Sequence, residues 1–525
     1  MTGRRIVDMA LVLGACVLLH LAMVMPSHPA GLVPARFVRP TWELPVILLL
    51  LAAFPNRPLR ALVIALALVF SVLRIADLAT YLALSRPFDP LLDIHLLVSG
   101  WELLVSSVAY HEALLAVVLV LGALGAATWM LWAGLSRLPR LGGRTRGAVA
   151  GVPLIAVLVS TAVPGWSAFA ATPVVSNQVS RMARSVVDLR DFSEELAERQ
   201  DIAPAFEALG DRDVIVAFIE SYGRSFLDDA AYTEVSNPRL DAVETRLSDA
   251  GWSIRSTFLA APTRGGQSWL SHGTFLSGLW VNNQSRYDRL MISDRASLNA
   301  LFGEAGWATG AAMPAIVQDW PEAAWYDYDT TLDASGLAYA GEPFEWVTMP
   351  DQYTWSAMDR LLRGPGPDMI EMALITSHAP WTPLPRIVPW DAVGDGGIFD
   401  GTQRDGDTPR EVWSDPERIR TQYGLSLDYA LEVMGQYIAR DGEDALFIVL
   451  GDHQPAPLLT GEGASPDVPM HVISRDTGLL ERLPDEVFSD GIRPAPDRPA
   501  LSMDAIYGLM TSVFEDPDVA ASRTN

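Results

Sequence analysis

The sequence predicts a two-part protein, an N-terminal five-helix transmembrane domain followed by an α/β/α sandwich with a mostly parallel central sheet. Three observations carry this reading. Apolar runs of membrane-spanning length crowd the first 170 residues. From Asp213 onward, short apolar runs alternate with helical stretches, as they do around a parallel sheet. The charge divides at the same place: residues 1–170 carry 12 Arg against 7 acidic residues, and the remainder 26 Arg against 56. A chain of 525 residues is also too long for a single core.

The apolar runs fall near 6–26, 41–55, 61–83, 112–136 and 147–166. A helical crossing needs about 20 residues, so these are read as five spans, the second being short. Arg4 and Arg5, Arg57 and Arg60, and Arg137, Arg140, Arg144 and Arg146 fall in alternate loops, which the positive-inside rule places in the cytoplasm. Arg36, Arg39 and Arg86 are the chief basic residues of the other loops. An odd number of spans then leaves the second domain outside the cytoplasm. Trp42, Trp101 and Trp166 near span ends suit an interfacial belt, and the segment from Pro90 to Val108, with Asp93, His95 and Glu102, suits an outer interfacial helix. Arg74 and Asp77, three apart in the third run, are spaced to pair on one helix face. Residues 171–209 read as one or two linker helices.

In the second domain, 210–525, strands are expected at 213–219, 253–259, 308–313, 368–376, 445–450 and 469–474, and helices at 268–278, 294–305, 351–363, 415–440 and 503–514. The stretch 383–409, rich in Pro, Gly and Asp, reads as a long loop, either an active-site cover or a disordered insertion. Composition also excludes chemistry. So acidic a domain repels nucleic acid. Lysine is absent, which removes a Schiff base or a lysine general base, and Cys16 lies in the first span, so the second domain has no disulfide.

Asp452 and His453 directly follow a buried-strand pattern ending in Leu450-Gly451, and Glu220 follows another ending in Ile219. Ligands of open parallel sheets bind at the carboxyl ends of the strands. Thr263-Arg264-Gly265-Gly266-Gln267 forms a glycine-bearing turn that puts Ser268 at a helix N-terminus, where an anion such as phosphate is favoured. Carboxylates and an imidazole around a divalent cation would lower the pKa of a coordinated serine hydroxyl, which points to phosphoryl chemistry. Glu220 has an alternative reading as a helix cap. His272 reads as a packed histidine, His471 as structural, and Ser221 and Ser271 as hydrogen-bonding neighbours.

Glu220, the hydroxyl after Thr263-Arg264-Gly265-Gly266-Gln267, Ser377-His378 with Pro380-Trp381, and Gly451-Asp452-His453, in that order behind a multi-span anchor, resemble the alkaline phosphatase superfamily. More narrowly, the pattern is similar to the lipoteichoic acid synthase and phosphoglycerol transferase branch. The resemblance implies that Glu220, Ser268, Asp452 and His453 bind one divalent ion, usually Mn2+, with Mg2+ or Zn2+ as alternatives. It also implies that Ser268 is the nucleophile, where the branch typically has threonine, and that His378 is an acid or base facing the phosphate. Asp319, Trp320 and Arg264 would contact substrate. The expected activity moves a phosphoglycerol-type head group from a membrane phospholipid to an envelope glycan or lipid through a phosphoryl-serine, at a bacterial inner membrane with the catalytic domain outside. Hydrolysis with water as acceptor, and a catalytically silent envelope scaffold, are the alternatives. Ser268-Trp269-Leu270-Ser271-His272 lacks the proline and arginine of the sulfatase frame, and the missing disulfides disfavour a phosphoethanolamine transferase.

Overall fold

A computed structural model of the chain describes residues 3–93, 96, 100, 101, 110–162, 169, 170, 172–198 and 204–515, in two compact units, Met1–Asp188 and Leu189–Asn525. In the first unit three helices, not five, are long and apolar enough to cross a membrane: Arg5–Val24, Arg57–Leu84 and Tyr110–Arg140. The second apolar run makes only the 11-residue helix Glu43–Ala53, about 16 Å long against a hydrocarbon thickness of about 30 Å. The fifth makes Gly143–Ser160, which spends its first turn on Arg144 and Arg146 and contains Pro153, leaving too short an apolar stretch. Trp166, Arg199, His95, Glu102 and Val108 lie outside the described residues.

Polar contacts give the direction of each long helix. Arg74, past the middle of the second, donates to the Met25 carbonyl just past the end of the first, and Arg60 at its start lies over Trp132 near the Arg137–Asp8 pair, so these two run parallel. Arg137, near the end of the third, pairs with Asp8 near the start of the first at 2.9 Å, so the third runs opposite. The chain between Val24 and Arg57, with the Glu43–Ala53 helix, therefore returns along the bundle. Arg74 and Asp77 do not pair. The fully buried Arg74 also donates to the Ala170 carbonyl at 2.6 Å, while Asp77 accepts from the Phe88 N–H at 3.0 Å and from Arg181 at 3.4 Å. Arg181 belongs to a single helix, Thr172–Ala197, in which the boundary between the two units falls.

The second unit is built on one sheet of nine strands: β1 (Val214–Ile219), β2 (Ser253–Ala260), β3 (Ala308–Met313), β4 (Thr330–Asp333), β5 (Asp368–Leu374), β6 (Leu446–Gly451), β7 (Asp467–Ser474), β8 (Ser489–Asp490) and β9 (Leu501–Ser502). The order is β4-β3-β5-β1-β6-β7-β2-β8, with β9 beside β2. From β4 to β6 every pair is parallel, whereas β7 runs antiparallel to both its neighbours, so the sheet is mixed.

Every residue of β1 and β6 is buried, as expected of central strands covered on both faces. Alternation sends Ile215, Ala217 and Ile219, with Phe447 and Val449, into a core shared with the helices Thr233–Asp249, Asp351–Leu361 and Pro416–Asp441. Val214, Val216 and Phe218, with Leu446, Ile448 and Leu450, face the helices Ser268–Ser277, Leu298–Ala305 and Ala505–Val513. The 383–409 stretch is an ordered loop. It folds into short 3-10 turns whose Val393 and Phe399 are buried in the first of these cores.

Candidate active site

Sheet geometry alone brings the first two ligands together. In the parallel register of β1 and β6, Ile219 lies beside Gly451, so Glu220 and Asp452 follow as neighbours at the strand ends. Both continue the phase of Phe218 and Leu450, which puts their carboxylates on the face that carries the Ser268–Ser277 helix. The strands leave the sheet at close quarters. A Cβ on Gly451 would stand 1.9 Å from the Tyr222 carbonyl oxygen, and one on Gly223 only 1.5 Å from Gln454 Oε1.

The Ser268 helix is delivered by the glycine turn. Gly265 donates to the Gln454 carbonyl at 2.8 Å, pinning the turn to the segment that carries His453. Gly265, Gly266 and Gln267 all have positive φ, which is why two of the three positions are glycine. The helix begins without a side-chain cap, leaving its first-turn N–H groups free of one. Ser268 Oγ donates to Glu220 Oε2 at 3.2 Å and also lies against Asp452.

His453 completes the cluster, with Nε2 3.4 Å from Glu220 Oε1 and 3.6 Å from Asp452 Oδ2. The ligand atoms of Glu220, Asp452 and His453 all lie within 4.8 Å of one another. Backbone groups fix this arrangement. Asp452 Oδ1 accepts from the Ser221 N–H at 2.7 Å and the His453 N–H at 2.6 Å, and Ser221 Oγ donates to Glu220 Oε1 at 2.7 Å. Ser377 Oγ donates to the Glu220 carbonyl at 2.6 Å.

The residues present fit a divalent cation. The Nδ1 of His453 is engaged with the Gln454 carbonyl at 3.1 Å, so Nε2 is the nitrogen with a lone pair toward the carboxylates. That nitrogen is buried and has no hydrogen-bond partner among the described residues, an arrangement that a metal ligand satisfies and a core histidine does not. Burial works to raise the Glu220 carboxyl, but the imidazoles of His453 and His378 and the Ser221 hydroxyl outweigh it and hold the group at about 2. Burial, then the Glu220 charge, pushes Asp452 well above the usual carboxylate range.

His378 stands near enough to act on Glu220. Its Nδ1 donates to the Ala379 carbonyl at 2.6 Å, and its ring stacks on Trp346, centroids 3.6 Å apart. Arg264 is half-buried on the glycine turn and bridges to Gln454 through its backbone; burial lowers its guanidinium, opposed by Asp467. Trp320 packs at 6.3 Å from the Tyr328 ring, while Asp319 is exposed, and among the described residues no hydrogen bond or ion pair ties it to the cluster. Sequence reasoning missed Trp346, whose exposed indole has no motif around it, and the pairing of Glu371 with His272, since Glu371 lies inside a strand.

No protein-family model and no curated protein matches the chain. Among solved structures it is similar to the lipoteichoic acid synthase LtaP of Listeria monocytogenes, at 12% identity over 63% of this chain and 78% of that one, TM-score 0.38. It is also similar to the Streptococcus pyogenes phosphoglycerol transferase GacH in complex with sn-glycerol-1-phosphate, at 13% identity over 65% and 89%, TM-score 0.37. A protein in the alkaline phosphatase superfamily from Vibrio parahaemolyticus matches at 14% identity over 62% and 75%, TM-score 0.36. Phosphonate monoester hydrolases are among the matches as well.

Proposed function

We propose that the chain is a membrane-bound, metal-dependent phosphotransferase of the alkaline phosphatase kind. It moves a phosphoglycerol-type head group from a phospholipid to an envelope glycan or lipid. The observation that carries this is the convergence of Glu220, Asp452 and His453, with one orphaned imidazole nitrogen, on the hydroxyl of a serine at a helix N-terminus. Glu220, Asp452, His453 and Ser268 would hold the cation, with Mn2+ as the expected ion. A divalent ion bound there supplies Lewis acidity that makes the hydroxyl ionisable near neutral pH and offsets phosphate charge.

Ser268 Oγ then attacks phosphorus, and the bond from phosphorus to the lipid alcohol breaks as that alcohol takes a proton from His378. The N–H groups of Ser268 and Trp269, which no side chain caps, would face the phosphoryl oxygens. In the second half, an acceptor hydroxyl gives its proton back to His378, attacks the phosphoryl-serine and releases Ser268. Placement of the catalytic unit outside the cytoplasm rests on the arginines and on Ala170, further along the chain, whose carbonyl accepts from Arg74 with that of Met25, away from the bundle end where the chain begins. Arg57 and Arg60 start the second long helix, Arg60 lies over Trp132 of the third at 5.3 Å, and Arg137 lies beside Asp8, so these arginines gather at the end of the bundle where the chain begins.

Purified protein with phosphatidylglycerol labelled in its head group and Mn2+, with and without a polyol acceptor, tests the reading. Release of diacylglycerol with label passing to the acceptor is expected. Label passing to water alone would mark a hydrolase, and no turnover would leave a silent scaffold.

A further inference from the structure

One turn after Ser268 on the same helix, His272 is clamped in a way the mechanism above does not use. The i, i+4 spacing puts both side chains on one helix face, about 6 Å apart along the axis. His272 Nδ1 meets Glu371 Oε1 at 2.5 Å, and the other Glu371 oxygen accepts from the Tyr328 hydroxyl. Glu371 is fully buried in β5, and Phe218 stacks on the imidazole with centroids 3.9 Å apart, so the ring is fixed in position and tilt.

A carboxylate only accepts, so Nδ1 carries a proton, and in its neutral form the ring has its lone pair on Nε2. Nε2 makes no hydrogen bond among the described residues, yet it is not an occluded orphan, and the residue keeps 8% of its surface. One ring nitrogen is held by a buried carboxylate and the other is left open, on the helix face that presents the nucleophile.

We propose that His272 is a specificity-determining residue of this site, its Nε2 accepting a hydrogen bond from a hydroxyl of the head group that stays on the phosphate. The inference rests on the phosphodiester reading above and names what that reading leaves open, the group selected. A lone pair rejects phosphoryl oxygens, which are acceptors themselves, and selects a donor such as a polyol hydroxyl.

The test compares glycerol phosphate with propyl phosphate, which has the same carbon chain without hydroxyls, by calorimetry on the full-length Mn2+-loaded protein. Wild type is expected to bind glycerol phosphate about tenfold more tightly. In His272→Gln the amide N–H can still donate to Glu371, but the longer, flexible side chain no longer fixes an acceptor where Nε2 stood, so the preference collapses toward one through weaker glycerol phosphate binding. Tyr328→Phe, which frees one Glu371 oxygen while leaving the imidazole in place, narrows the preference in part and carries the test if His272→Gln does not fold. A wild-type preference near one, or a His272→Gln protein that weakens both probes equally and so keeps the wild-type ratio, overturns the proposal. Wild type that binds neither probe removes the phosphodiester reading itself.

Discussion

Two histidines on neighbouring segments of the sheet, both buried, show how differently the fold treats an imidazole. His471 in β7 has both nitrogens engaged, Nε2 with the Tyr222 hydroxyl at 3.1 Å and Nδ1 with the Ser256 hydroxyl at 2.8 Å. His453, just past β6, has Nδ1 engaged and Nε2 buried against two carboxylates with nothing to bond. The first arrangement closes on itself; the second is complete only with a cation. Burial therefore does not separate a structural histidine from a ligand, whereas the accounting of its two nitrogens does.

The contrast is sharpest at the nucleophile that the His453 cluster serves. Ser268→Ala is expected to cut phosphodiester turnover by about a thousandfold or more while the circular dichroism spectrum and thermal midpoint stay close to wild type. Substitution of the histidines themselves should then divide cleanly. His453→Ala lowers bound metal from about one ion per chain toward none, read by elemental analysis, with little loss of metal-free stability. His471→Ala keeps the metal but leaves the Tyr222 hydroxyl without its partner and opens a cavity, costing about 2–4 kcal/mol in urea unfolding. Metal loss in His471→Ala at unchanged fold would break the comparison. Chelation gives a smaller effect: an ion present at about 100 times its Kd stabilises the wild type by about 2.7 kcal/mol, which EDTA should remove from wild type and not from His453→Ala.

The smallest effect is in pH. Burial lowers His471 to about 3, so between there and about 6.5 the unfolded chain binds a proton that the folded chain does not. This contribution to stability is complete above about 6.5 and is lost as pH falls toward 3, by up to about 1.4 kcal/mol per pH unit. Asp351, raised by burial to about 6, runs the other way between about 4 and 6, because there the folded chain holds the extra proton. The difference in unfolding free energy between wild type and His471→Gln isolates the histidine, and a difference that stays flat from pH 4 to 6 would contradict its assignment as a buried neutral group.

What the sequence disclosed follows from which interactions are local. The six expected strands are all present, and in β1 and β6 full burial makes the apolar run continuous, while Glu220, Ser268, Asp452 and His453 are legible because each directly follows a strand or a glycine turn. The helix Thr233–Asp249 was missed. Its stripe is only Leu240, Val243 and Leu247 among polar residues, and Pro238 sits inside it. Strand β4, Thr-Thr-Leu-Asp, is half exposed and has no alternation to read. Five apolar runs were counted as spans because hydropathy measures composition, whereas crossing depends on helix length, which Glu43–Ala53 lacks. The Glu371 clamp on His272 joins residues 99 apart in the chain, a pairing that no local pattern announces.

The central claim is that one ion completes the His453 cluster, and anomalous scattering from crystals grown with Mn2+ tests it most directly. A single peak in bonding contact with Glu220, Asp452, His453 Nε2 and Ser268 Oγ, lost in His453→Ala, is the predicted result. No peak there, or a peak bound elsewhere while Nε2 still faces only protein, would contradict the account.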